Sequence, residues 1–177
     1  MPLDTSEIVL AEEVERLESE SDELGDQVAT LDPDNPAVES LLSRGQTLDT
    51  YLSGVEWARE EWKVDSITLS GLTGGEFGKV EDRLSDVAAS QQRRGGQPGA
   101  RRVYLVAFGT VDAPYIEADM SDDERVAAAA GLPVAYLKWA ESHINELSRV
   151  GGNGRSSFGQ LVAEKRQQQA QASTESS

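Results

Sequence analysis

Thr73-Gly74-Gly75-Glu76, preceded by Gly71-Leu72, is the stretch whose residue types come nearest to a chemical motif. Glycines in a turn between a strand and a helix can cradle a phosphate on backbone N–H groups. That chemistry also wants a Lys-Ser/Thr pair after the glycines, or the spacing G-x-G-x-x-G, and neither is present. The spacing S/T-x-x-E/Q fits a capping box instead. Thr73 would accept from the N–H of Glu76, and the Glu76 carboxylate would reach back to the N–H of Thr73. Leu72 and Phe77 stand where a hydrophobic staple would close over the cap. Turn and cap are the expected role, and Thr73 is assigned no chemistry.

Other reactive types are sparse. Cysteine is absent and His143 is the only histidine, so disulfides, thiolate metal sites, thiol nucleophiles and histidine clusters are excluded. His143 lies beside Ile144 on an expected helix and reads as a surface or partly buried structural residue, because the sequence places no nucleophile or paired acid to work with it. The segment from Gln91 to Arg102 gathers four arginines among glycine, proline and glutamine. Without interleaved aromatics, and within an acidic protein, it is expected to be an exposed solubilising loop that pairs with the acidic N-terminal third. No paired-carboxylate motif, nucleophile elbow, Walker sequence or metal-ligand spacing is found. No catalytic, cofactor-binding or metal-binding residue is therefore assigned, and a non-enzymatic binding or assembly role is expected.

The elements around these residues follow from apolar spacing. Leu10, Val14, Leu17, Leu24, Val28 and Leu31, with Ser21 filling one gap, fall in alternating steps of four and three, a heptad seam amid Glu, Asp and Ser. Asp32-Pro33-Asp34-Asn35-Pro36 ends that helix, and Asn35 can cap the next. A second seam runs through Leu41, Leu48, Leu52, Val55 and Trp62, weakened by Gly45. Together they predict an antiparallel acidic hairpin, either closing on itself or on the next unit, or serving as a coiled-coil arm for self-association or a partner. Val64, Ile67 and Leu69 suit a short strand, and Phe77, Val80, Leu84 and Val87 an amphipathic helix after the cap. Val103-Tyr104-Leu105-Val106-Ala107-Phe108 leans to a buried strand continuing towards Val111, with helix as the alternative. Ser121-Asp122-Asp123-Glu124 is a second capping box, opening a helix to Ala130. A last helix from Pro133 carries Leu137, Ile144 and Leu147 towards the core, ending at Gly151-Gly152. Beyond Phe158 and Leu161 the polar sequence predicts a disordered tail. The expected fold is mainly α with a small β element (α+β). It divides into an acidic helical hairpin arm (1–56), a globular helical domain (57–161) and a disordered tail (162–177).

Charge narrows the function. The chain of 177 residues has a net charge of −16, unevenly spread. Residues 1–63 hold 17 acidic and 4 basic side chains, a net of −13, whereas residues 64–177 hold 15 and 12. Acid excess with only 4 lysines is common in proteins of salt-loaded cytoplasm, where screening relieves self-repulsion, so a halophilic source is expected. Direct nucleic-acid binding is disfavoured, because neutralising phosphates needs a basic surface. The longest apolar run, Val126 to Leu137, is too short to span a bilayer, and the first residues lack the features of a signal peptide. A soluble intracellular protein is expected.

The order of segments resembles tail assembly chaperones of tailed viruses. The resemblance rests on Trp62–Val64 with Ser66-Ile67-Thr68-Leu69-Ser70-Gly71-Leu72-Thr73-Gly74-Gly75-Glu76-Phe77, then Arg101–Thr110, then Leu132-Pro133 through Ile144-Asn145-Glu146-Leu147-Ser148. Such chaperones open with an I-T-L-x-x-L-T-x-x-E-type segment and close with a helix ending in I-x-x-L-S. The resemblance spans residues 57–161 and leaves the acidic hairpin outside the pattern. It implies a tailed virus or provirus, of a halophilic archaeon given the composition. It also implies an assembly factor present in the host cytoplasm during virion assembly and missing from the mature virion. Its implied partners are the tape-measure protein, whose long apolar helices it keeps soluble, and the tail-tube protein. A frameshifted longer form is common in the family. The alternative is a structural virion protein of the tail or head–tail connector; a dimeric transcription regulator is disfavoured by charge and by the lack of a basic recognition helix. Trp57, Trp62, Phe77, Tyr104 and Trp139 are the expected partner contacts, as large amphipathic or aromatic side chains. Core packing competes with that role at each, most strongly at Phe77 and Tyr104.

Overall fold

The computed structural model describes residues 4–90 and 98–149. In chain order these form β1 (Thr5–Val9), α1 (Leu10–Thr30), α2 (Ala37–Trp62), β2 (Ser66–Ser70), α3 (Gly74–Ser90), α4 (Pro98–Gly109), β3 (Thr110–Asp112), α5 (Asp122–Ala130) and α6 (Val134–Ser148). The fold is mainly helical with one small antiparallel sheet, as the sequence predicted. The expected terminal glycine cap at 151–152, the apolar pair Phe158 and Leu161, and the polar tail lie outside the described residues.

The helical hairpin forms as expected. Its turn is held by Asp32, whose carboxylate accepts from Asp34 N–H (2.9 Å), and by Asn35, whose side chain accepts from Ala37 N–H (2.9 Å). Leu10, Val14, Leu17 and Leu24 on α1 and Leu48, Val55 and Ala58 on α2 are buried, following the predicted seams. The boundary expected after residue 56 is corrected, because it falls inside α2, which continues unbroken to Trp62. Leu10, Val14, Leu17 and Val55 join Ile67, Leu69, Trp139 and Ile144 in one buried cluster. The base of the hairpin is thus a wall of the core. Acid composition had suggested a separate arm, but burial follows apolar spacing, not charge.

The sheet has the order β1-β2-β3. β2, the short strand expected here, sits in the middle and alternates regularly, with Ile67 and Leu69 buried; it starts two residues after Val64. β1 pairs antiparallel with it, Thr5 opposite Ser70 and Ile8 opposite Ile67. β3 pairs on the other edge, Leu69 opposite Thr110, with an irregularity at Thr68/Leu69. The turn after β2 brings Gly71 against the Leu147–Ser148 backbone, where a Cβ has no room, and Leu72 N–H donates to Ser148 Oγ (2.8 Å).

Both capping boxes form. At α3, Thr73 N–H donates to Glu76 Oε2 (2.8 Å) and Glu76 N–H to Thr73 Oγ1 (3.3 Å). At α5, Ser121 and Glu124 exchange the same pair of bonds. The strand expected over residues 103–108 is corrected to helix: α4 runs from Pro98 through the whole apolar run, and only Thr110–Asp112 is strand. Leu105, Val106, Ala107, Gly109 and Thr110 are all buried between neighbouring helices, so the run shows no polar face from which a helical period could be read. Arg125 of α5 donates to the carbonyls of Ala107 and Thr110, placing a cation at the C-terminal end of α4. The arginine-rich loop is corrected in part, since Arg101 and Arg102 belong to α4. Their carboxylate partners are Glu81 on α3 (3.8 Å) and Glu141 on α6 (2.6 Å), outside the acidic hairpin.

Candidate functional site

Three of the five expected contact residues converge on one aromatic cluster. Trp57 and Trp62, on the last turns of α2, stand edge to face at 5.2 Å between ring centroids. Tyr136 of α6 lies 5.0 Å from Trp62 and 5.4 Å from Trp139, and Tyr115 lies 5.5 Å from Trp62. Spacings of this kind give aromatic pairs about 0.5–1.5 kcal/mol beyond their burial. Burial pushes the Tyr115 phenol up to about 12, against the opposing effect of its hydrogen bond with Thr110 Oγ1 (2.6 Å). Burial pushes Tyr136 up as well, and the nearby Tyr115 adds to it, although the Tyr136 hydroxyl has no partner in hydrogen-bond geometry. Both phenols stay neutral at ordinary pH.

Trp139 is wholly buried, so its expected role as a partner contact is corrected to that of a core residue. It stands one step off the Tyr136–Ala140–Ile144 line and reaches α1 through its hydrogen bond to Glu13. Trp57 and Trp62 are half-buried and turned into the cluster. Phe77 and Tyr104 stand elsewhere, on α3 and α4, each partly buried against the core. The Arg101 guanidinium lies over the Phe77 ring at 5.3 Å. The five residues do not form one surface.

The most polar buried group is Glu13 on α1. Its Oε1 accepts from Trp139 Nε1 (2.9 Å) and lies 3.0 Å from His143 Nε2, and Arg16 spans both carboxylate oxygens at 2.8 Å. Burial alone would raise its pKa; the hydrogen bonds from Arg16, His143 and Trp139 outweigh that and hold it well below the usual carboxylate range. A carboxylate so fully engaged is a clamp between helices, poorly suited to accept a proton. His143 is the partly buried structural histidine expected, but with an acidic partner that the sequence did not reveal. One signal was available: Glu13 interrupts the buried stripe Leu10, Val14 and Leu17, with Arg16 three residues on.

The other feature unforeseen from sequence is a groove of about 420 Å³ near the hairpin tip, on the face formed by Leu24, Gly25 and Val28 of α1 and Leu41, Leu42 and Gly45 of α2. Leu42 is 52% exposed, one of the most exposed large apolar side chains among the described residues. Toward the turn, no residue between Gly25 and Thr47 is buried. Residues 18–49 around it carry nine carboxylates and one cation, Arg44, which is paired with Glu20.

Among the described residues, no group of three or more His, Asp or Glu side chains is arranged to hold a metal ion. No helix there is long and apolar enough to cross a membrane. Comparisons with protein-family models, curated proteins and solved structures found no match to this chain.

Proposed function

We propose that this chain is a non-enzymatic assembly chaperone of viral tail morphogenesis that holds the tape-measure protein and helps recruit tail-tube subunits in the host cytoplasm. The observation that carries the reading is the junction of the two segments on which the resemblance rests. Gly71-Leu72, in the middle of one, is seated on Leu147-Ser148, at the end of the other, through the 2.8 Å bond from Leu72 N–H to Ser148 Oγ. Residues 76 positions apart in the pattern therefore build one structural unit, in which β2, α3 and α6 meet. The physics of the task supports the same reading. Keeping a long apolar helix soluble calls for a strongly charged carrier that does not aggregate, and a net charge of −16 suits that need.

The test is co-expression with the tape-measure protein encoded beside it, followed by pull-down of the full-length chain, and mass spectrometry of purified particles. Association with the tape-measure protein and absence from particles is the expected result. Presence in finished particles at stoichiometric amounts would favour the alternative, a structural protein of the tail or head–tail connector.

A further inference from the structure

We infer that the groove at the hairpin tip is a docking site for an amphipathic helix with basic flanks. The inference rests on the chaperone reading for the identity of a natural client, but the site is argued from the hairpin alone.

Its floor and walls are apolar: Leu24 and Val28 on one helix, Leu41 and Leu42 on the other. Its rim is acidic. Asp49 lines it, Asp22, Glu23, Asp26 and Glu39 are exposed on the same stretches of α1 and α2, and the cation Arg44 is paired with Glu20. An apolar stripe with Lys or Arg on its borders complements both features. A second copy of this chain does not, since it would bring one hairpin region of net charge −13 (residues 1–63) against another.

Two glycines strengthen the case. Gly25 and Gly45 face the groove from helix interiors, where glycine is among the least favourable residues. Neither is needed for packing within the described chain. A Cβ at Gly25 would meet nothing within 4 Å, and one at Gly45 would make an ordinary 3.6 Å contact with Leu24. Absent side chains at these two points leave the backbones open to close approach by a third helix. Docked there, a helix would complete a three-helix bundle over the tip, burying Leu42.

The site can be probed with a labelled peptide of about 20 residues, long enough to lie along the tip, built of Leu and Lys with the leucines at helical spacing. Two controls accompany it: a scrambled peptide of equal composition, and one in which Glu replaces Lys. Fluorescence anisotropy against the full-length chain at about 0.15 M salt gives the affinities. The first peptide is expected to bind at least roughly tenfold more tightly than either control. Gly25→Leu puts a side chain into the groove from a Cβ with nothing within 4 Å, and should keep the melting temperature while weakening that binding roughly tenfold or more. Leu42→Ser, at an exposed position, should weaken it in the same direction. Equal binding of the scrambled peptide would reduce the effect to charge alone and overturn the site. Unchanged binding by both variants would do the same, as would a self-association in sedimentation that Gly25→Leu abolishes. The client pull-down separates the two proposals. Capture of the tape-measure protein undiminished in Gly25→Leu would leave the chaperone standing and move its site. Peptide docking without client capture would leave the groove standing and remove the chaperone.

Discussion

Trp139 donates its indole N–H to Glu13 Oε1 at 2.9 Å, joining α6 to α1 across 126 residues of sequence. The bond fixes a carboxylate that also holds Arg16 and His143, so one buried charge orients three side chains from two helices. Glu13→Gln keeps an acceptor for the indole but loses the charge. It should cost about 1–3 kcal/mol, towards the lower end because Arg16 is half exposed to solvent. The pH dependence has a definite sign. Glu13 has a folded pKa below its unfolded value, so its stabilisation is complete above the ordinary Glu pKa of about 4.3 and is lost as pH falls below it. The melting-temperature gap between wild type and Glu13→Gln should therefore narrow as pH falls below about 4, and a gap that widens below that pH would contradict the clamp.

Thr73→Ala removes one half of the α3 capping box and should lower stability by about 1 kcal/mol, measured by thermal or denaturant unfolding. Thr73→Ser should retain most of it, because the hydroxyl is the capping atom. Loss of client capture without loss of stability would give Thr73 a direct role in binding.

Local features were legible and distant ones were not. Both capping boxes and the starts of α1, α3 and α5 could be read because cap, spacing and apolar stripe sit within a few residues of one another. β1 escaped because it buries only Ile8, and its pairing partner Ile67 lies far along the chain. The α4 run was read as a strand because a helix enclosed by neighbours loses its polar face, and its Val, Tyr and Phe favour strands in isolation. The tryptophans were recognised as important, but sequence could not say whether they faced inward; Trp139 does so completely. Of the groove, the sequence offered only Gly45 as a weak point in a seam. Its opposite number, Gly25, gained meaning when the hairpin placed both on one face.

Gly54 marks a close approach of α2 and α6. A Cβ there would lie 2.5 Å from Tyr136 N and 2.6 Å from Ala135 C, both backbone atoms that cannot swing aside. Gly54→Ala should therefore destabilise by about 1–3 kcal/mol or more, despite the gain in helix propensity. Separation of the helices would also disturb Tyr136 within its ring cluster, so near-ultraviolet circular dichroism should change along with the melting temperature. An unperturbed spectrum and a higher melting temperature would mean that the two helices have room to part.

The last prediction separates the base of the hairpin from its tip. A fragment of residues 57–149 is expected not to fold. Its deletion removes β1 from the edge of β2 and takes Leu10, Val14, Leu17 and Val55 out of the core. Each such side chain contributes about 1.5–3 kcal/mol when fully buried, and four together rival the whole stability of an ordinary domain, about 5–15 kcal/mol. Replacing residues 26–43 with a short Gly/Ser loop removes none of the four. It also keeps Leu24 and Leu48, the buried pair nearest the tip, and leaves Glu13 with its partners. That variant should unfold cooperatively within a few degrees of wild type, and should be less soluble because it loses Asp26, Asp32, Asp34 and Glu39. Circular dichroism melts of the two proteins decide the matter. A cooperative transition in the 57–149 fragment would restore the hairpin as a separate arm, and failure of the shortened hairpin to fold would extend the core to the tip.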